Sequence, residues 1–297
     1  MLYSSVPAHE KRVQMRSQLA DGRIHVFPGA FNPLSAMLIE RQEFSGVYIS
    51  GAVLSADLGL PDIGLTTLTE VSARAGQISR MVNLPSIVDA DTGFGGPTNV
   101  ARTVQQFEDA GVAAMHIEDQ VNPKRCGHLD GKEVVSHEEA LQRVRAAADA
   151  RRDSNFVIIA RTDIRAVDGL DAAIDRLKAF VDAGADVIFP EALVGVAEFE
   201  QVRRKVDVPM MANMTEFGKG ELHPVSDLES AGVNIVIFPV SLLRLAMGAA
   251  ERGLEAIKRE GGLSSQLELM QSRADLYALI DYASYSKFDD SVYNFRL

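Results

Sequence analysis

The sequence predicts an α/β chain folded as one closed (β/α)8 TIM barrel over residues 1–297, and three observations predict it. Eight short segments are almost continuous in valine, isoleucine, phenylalanine and methionine. Strands of that kind are buried on both faces, as in a parallel sheet. Helix-length segments separate them, and eight strand–helix units at a mean spacing of about 30 residues suit a closed barrel. A weak repeat, "EDAGVAAMHIED", "VDAGADVIFPEA" and "ESAGVNIVIFPV", sets the same layout three times: helix end, Ala-Gly, strand. Its glycines, Gly111, Gly184 and Gly232, suit the left-handed position just past a helix.

Taken in order, the opening "MLYSSVPAHEKRVQMRSQLADG" (1–22) reads as a polar helical segment without the apolar stretch of a secretory signal. "IHVFPGA" from Ile24 is the first strand. The turn after it has no G-x-G-x-x-G, which argues against a doubly wound nucleotide-binding sheet. "GVYISG" from Gly46 is the second strand and "PSIVDAD" from Pro85 the third. "TNVARTVQQFEDAG" has helical apolar spacing, with Thr98 as the capping candidate. "AAMHIED" from Ala113 and "FVIIART" from Phe156 follow as strands, then "DGLDAAIDRLKAFVDAG" as a helix capped by Asp168. "DVIFPEA" from Asp186, "PMMANMT" from Pro209 and "NIVIFPV" from Asn234 complete the eight. The tail, 263–297, carries a helical stripe of Leu267, Met270, Leu276, Leu279 and Ile280 that needs a surface to cover, for which a neighbouring subunit is a candidate.

Composition bounds the function. A formal net charge of −11 argues against non-specific nucleic-acid binding. No apolar run reaches the roughly 18–20 residues of a spanning helix, so no membrane partner is expected. The single cysteine excludes an internal disulfide and suits a reducing cytoplasm.

In a barrel the active site lies at the C-terminal ends of the strands. Here those ends carry Ser50 and Gly51; Asp89 and Asp91; Glu118 and Asp119; Arg161, Thr162 and Asp163; Glu191; Asn213 and Thr215. Asp89 and Asp91, two apart, are expected on one side of a strand. Paired carboxylates raise a pKa or recruit a hard cation such as Mg2+. A solvated, Asx-capped turn is the bland alternative. Glu118 could complete a metal shell or simply pair with an arginine, and His116 reads as a satisfied core histidine. Cys126 sits in "NPKRCGHLDGKEVVS" among Lys124, Arg125 and His128. Those cations would stabilise a thiolate and attract an anion; a free thiol on a basic loop reads equally from the residues.

"KRCGH", with "VDADTGFG" and "HIEDQ" before it and "ARTD", "FPEA" and "NMTEFG" after it, resembles the isocitrate lyase and phosphoenolpyruvate mutase superfamily. Within it the chain is most similar to the 2-methylisocitrate lyase branch, from about Phe27 to "SRADLY". The resemblance implies a barrel whose last helix is exchanged between subunits of a homotetramer, a dimer of dimers. It implies dependence on Mg2+, with Mn2+ as a substitute, and cleavage of 2-methylisocitrate, a tricarboxylate, to pyruvate and succinate in the methylcitrate cycle of propionate catabolism. It gives Asp62, Asp89, Asp91 and Glu118 as the metal shell, some through water. Ser50, Gly51, Ala52, Lys124, Arg125, Gly127, His128, Arg161, Glu191, Asn213, Thr215, Ser241 and Arg244 become substrate contacts. Cys126 becomes the general acid and Tyr48 the candidate base. Phe189, Ile237 and Pro239 are expected to shape a pocket for the substrate's methyl group. Cleavage of a related 2-hydroxy acid or of isocitrate, decarboxylation of oxaloacetate, and binding of a dicarboxylate without turnover are the competing readings.

Overall fold

The computed structural model describes residues 4–125, 127, 131–218 and 220–293. All eight expected strands form: β1 (His25–Pro28), β2 (Val47–Ile49), β3 (Ser86–Asp89), β4 (Ala114–Glu118), β5 (Val157–Thr162), β6 (Val187–Pro190), β7 (Met211–Asn213) and β8 (Ile235–Phe238). Strands β2 to β6 pair side by side in chain order, and β8 pairs with both β1 and β7. Each of these pairs is parallel. Two single parallel bridges, Gly29 to Tyr48 and Ile188 to Met210, join these sheets at both seams, so the strands form a ring. The seam at β7 is thin because that strand is three residues long and Pro209 before it has no N–H to donate.

Alternation along each strand divides the core. Phe27, Tyr48, Ile87, Ile159, Phe189, Met211 and Ile237 pack together inside the ring. Their neighbours Val88, Met115, Ile158, Ile188 and Val236 pack outward under the helices. Register then carries function: Asp89 lies beside His116, Glu118 beside Arg161, and Arg161 beside Phe189.

The helices are α1 (Ala8–Ala20), α2 (Pro33–Arg41), α3 (Gly51–Asp57), α4 (Leu68–Ser79), α5 (Pro97–Asp109), α6 (His137–Asp149), α7 (Arg165–Asp168), α8 (Leu170–Asp182), α9 (Val196–Lys205), α10 (Val225–Ser230), α11 (Ser241–Glu260), α12 (Arg273–Leu279) and α13 (Tyr282–Tyr293). The repeat glycines take the expected left-handed conformation, at φ 79°, 104° and 83°. The two expected caps do not form. Gly96 precedes α5, with Pro97 at its first position, which places Thr98 inside the helix. Gly169, at φ 89°, makes the break between α7 and α8 and leaves Asp168 at the end of α7.

Helix α1 plugs the N-terminal end of the ring, where Met15 joins the inner core. By contrast α11 buries only Ala256 and leaves Leu245, Met247 and Leu254 exposed. In the tail Leu279 is buried, while Leu267 and Met270 stay exposed. No helix among the described residues is long and apolar enough to cross a membrane.

Candidate active site

At the C-terminal rim, a cavity of about 50 Å3 is lined by Tyr48, Ser50, Ala52, Asp62, Asp89, Lys124, Gly127, Arg161, Glu191, Asn213 and Thr215, with Pro239 and Val240. Eleven of the residues expected to do chemistry therefore converge from β2 through β7 and the loops after them. Phe189 and Ile237 lie in the fully buried layer of the inner core, so of the expected methyl pocket only Pro239 lines the cavity.

Asp89 and Asp91 do come together, but not by strand alternation. Strand β3 ends at Asp89, and Asp91 reaches back through a left-handed turn at φ 46°. Asp89 accepts the N–H of Gly51 at 3.1 Å and that of Asp91 at 2.9 Å. A side chain at Gly51 would lie 3.0 Å from Asp89 Oδ2 and 3.2 Å from Asp91 Oδ1, so it would crowd both carboxylates. Burial pushes the Asp89 acid up, but His116, Lys124, Arg161 and the Asp91 N–H outweigh it and hold it below the usual carboxylate range. Burial in turn lowers His116 to about 4. Burial and the Asp89 charge push Asp91 the other way, to about 6.

Lys124 enters this cluster as a cation. Its Nζ pairs with Asp62 and lies 2.8 Å from Asp91 Oδ1. Burial alone would lower the ammonium, but Asp91, Glu118, Asp62 and Asp89 keep it charged. Glu118 is buried, and burial pushes its pKa well above the ordinary value although Arg161 Nε is 3.3 Å away. Neither Glu118 oxygen has a hydrogen-bond donor, and Asp91 Oδ1 has no aligned one. Such orphaned buried acceptors are costly. Hard oxygens without donors suit a divalent cation such as Mg2+, and Glu118 and Asp91 Oδ1 are of that kind, whereas Asp62 and Asp89 already have donors. Among the described residues no three Asp, Glu, His or Cys side chains already stand in ligating geometry, since the Lys124 ammonium sits between Asp62 and Asp91.

Arg161 is the hub of the other side of the cavity. Its Nε donates to Asp163 Oδ2 at 2.9 Å, and its plane lies over Phe189 at 5.3 Å. Glu191 Oε2 is 3.7 Å from its Nη1, and Asn213 donates to Glu191 at 3.4 Å. Gly127 is wedged here: a side chain on it would lie 2.5 Å from Arg161 Nη2. Arg125 points outward, with its backbone held reciprocally by the Gln120 amide at 2.9 Å. Ser241 and Arg244 lie outside the cavity lining. Ser241 donates to the Glu216 carboxylate, and Arg244 binds that carboxylate at 2.9 Å. Cys126 and His128 lie outside the described residues, although Lys124 and Gly127 on either side of Cys126 are seated in the rim.

His116 has a place the sequence reading gave to the core alone. Its Nε2 is 2.7 Å from Tyr48 Oη, the rings stack, and Asp89 Oδ1 is 3.4 Å away. Burial, with the Asp89 charge, raises the Tyr48 phenol well above its ordinary pKa. The signal was available: His116 is two residues before Glu118 and so shares its face of β4. Glu216 and Lys132 carried no comparable signal.

The phosphoenolpyruvate phosphomutase family model matches residues 15–258. A protein of Corynebacterium glutamicum named probable 2-methylisocitrate lyase 2 is 55% identical over 98% of this chain and 95% of its own. The structure of a 2,3-dimethylmalate lyase, described as a member of the PEP mutase/isocitrate lyase superfamily, superimposes with a TM-score of 0.88 at 35% identity, covering 97% of this chain and 96% of that one. A phosphonopyruvate hydrolase in complex with oxalate and Mg2+ superimposes at 0.86 with 30% identity, covering 94% and 98%.

Proposed function

The chain belongs to the PEP mutase/isocitrate lyase superfamily, and on that premise we propose that it is a cytoplasmic, Mg2+-dependent carbon–carbon lyase that cleaves 2-methylisocitrate to pyruvate and succinate. The observation that carries this reading is the pairing, on one rim, of donor-poor buried carboxylates with the buried Arg161 guanidinium. One half suits a cation and the other a substrate carboxylate.

Asp62, Asp89, Asp91 and Glu118 would hold the metal, directly or through water. Bound there, Mg2+ supplies Lewis-acid neutralisation of charge on the hydroxyacid end of the substrate. Arg161 holds a carboxylate by charge-assisted hydrogen bonds, and Asn213 keeps Glu191 in place beside it. Tyr48 Oη takes the proton of the substrate's tertiary hydroxyl as it passes its own to neutral His116 Nε2. The bond between the hydroxyl-bearing carbon and its neighbour then breaks, its electron pair moving to the aci-form of succinate and leaving the ketone of pyruvate. Cys126 gives the proton that completes succinate. Lys124 and Gly127 must withdraw to admit a tricarboxylate into so small a cavity, and their return excludes water from the carbanion. Ser241 and Arg244 bind substrate once they leave Glu216, and Ser50, Gly51, Ala52 and Thr215 complete the lining.

We further propose a homotetramer in which α11 packs on a second copy of the chain. Its exposed Leu245, Met247 and Leu254 form the face that such a copy would cover.

The test is pyruvate release from 2-methylisocitrate, isocitrate and 2,3-dimethylmalate, with and without Mg2+. The highest kcat/KM is expected on 2-methylisocitrate, abolished by chelation and by Cys126→Ser. A higher kcat/KM on either competitor overturns the substrate assignment, and turnover by Cys126→Ser near the wild-type rate removes the proton donor.

A further inference from the structure

Two buried charged groups beside the cavity have no part in that chemistry. The side chains of Lys132 and Asp163 are 2% and 0% exposed. A buried ion pair contributes little to stability compared with an apolar pair of the same volume, so what this one touches is informative. Lys132 Nζ donates to Asp163 Oδ1 at 2.7 Å and to the backbone carbonyl of Gly127. Asp163 in turn accepts from Arg161 Nε at 2.9 Å and from Arg161 Nη2 at 3.2 Å.

Asp163 is itself fixed from behind. Its N–H donates to Asp119 Oδ1 at 2.9 Å. Asp119 Oδ2 accepts the Thr162 hydroxyl at 2.6 Å and Arg176 Nη1 at 3.0 Å. One ammonium therefore joins two cavity-lining groups from different parts of the chain: the Gly127 peptide after β4 and the Arg161 guanidinium at the end of β5. A lysine suits the position, because three donors on a compact head serve a carbonyl and a carboxylate together.

We propose that Lys132 is a positioning residue that seats the Gly127 peptide against the cavity and, through Asp163, aims the Arg161 guanidinium. Two consequences follow for the lyase reading, on which this inference rests. With Lys132 sharing Asp163, less of the Arg161 charge is spent on its own carboxylate and more faces the substrate. Seating Gly127 also fixes the peptide that follows Cys126.

The test is Lys132→Met, read two ways. Limited trypsin digestion reports seating of the segment without substrate, from the rate of cleavage after Arg125 relative to that after Arg204 on exposed α9. The expected result is cleavage after Arg125 accelerated by about tenfold and kcat/KM lowered by about ten- to a hundredfold, as for a misplaced contact group, with the relative rate at Arg204 unchanged. A merely structural role would lower the melting temperature and leave that ratio alone. If Lys132→Met does not fold, Lys132→Gln is read in the same way. A folded variant with unchanged cleavage after Arg125, or with unchanged kcat/KM beside faster cleavage, overturns the proposal. Failure of the wild-type protein to cleave 2-methylisocitrate would instead count against the lyase reading, because the digestion needs no substrate.

Discussion

The two ends of the barrel both bury charge, and they do so in opposite ways. At the N-terminal end, cations on α1 meet acceptors that the strand and helix ends leave open. Arg12 donates to the carbonyls of Glu108 at 2.6 Å and Val112 at 3.1 Å and to Asp153 at 3.1 Å. Lys11 donates to the carbonyls of Ser79 and Val82. Arg16 reaches Asp186 at 2.7 Å. At the C-terminal end Glu118 is buried and accepts no hydrogen bond. The buried cations of the plug thus all find acceptors, whereas at the rim a buried carboxylate finds no donor. Satisfied burial is scaffold; unsatisfied burial on a concave rim is where a ligand completes the structure.

This contrast can be broken, and the largest expected effect is at the rim. Arg161→Met would take the nearest cation from Glu118 and Glu191 and leave Asp163 with Lys132 alone. It is expected to cost about 3–5 kcal/mol in urea unfolding and to abolish pyruvate release. A loss below about 1 kcal/mol would show that the rim does not depend on its hub.

At the plug, Arg12→Met leaves the Val112 carbonyl without its donor, while that of Glu108 keeps the Gly111 N–H, for a loss of about 1–3 kcal/mol. Here kcat/KM of the folded fraction should stay at the wild-type level. A large fall would mean that the plug and the site are not separate.

Glu118→Gln sharpens the comparison, because neutralising a donor-poor carboxylate should not hurt the fold. In chelator the variant is expected within about 1 kcal/mol of wild type, neutral or more stable. The rise in melting temperature with added Mg2+, which follows from binding to the folded state, should disappear. Retention of the full Mg2+ shift would remove Glu118 from the metal set.

The smallest effect is a pH dependence at the plug. Burial lowers the Lys11 ammonium to about 8, against 10.5 for an unperturbed lysine. The unfolded chain therefore binds more protons between those values, and stability should rise with pH across that window. Compared with Lys11→Met, the wild-type protein should gain stability from pH 8 to 10.5. Parallel stability curves for the two proteins would contradict the shift.

The plug and the rim also differ in how legible they were. Strands buried on both faces must be apolar throughout, so all eight could be read from composition, and the acidic rim could be read from the residues that end them. Glycine at a left-handed helix end is a local requirement, and Gly111, Gly184 and Gly232 announced themselves. The caps at Thr98 and Asp168 were misread because nearby Pro97 and Gly169 set the backbone first. For the plug, only a polar helix was visible, since nothing in "HEKRVQMRSQ" says that its cations will be buried.

By itself the sequence determined the strand order, the end of the ring that carries the chemistry, and the residue types gathered there, because periodicity and backbone conformation act over a few neighbouring residues. Tertiary structure alone decided that Lys124 bridges Asp62 and Asp91, that Tyr48 meets His116, that Ser241 and Arg244 turn to Glu216, and that Lys132 ties Gly127 to Asp163. Each of these joins residues from different strands or loops. Their pairing depends on register, on closure of the ring, and on which buried charge finds a partner once water is gone, and no local pattern encodes that competition.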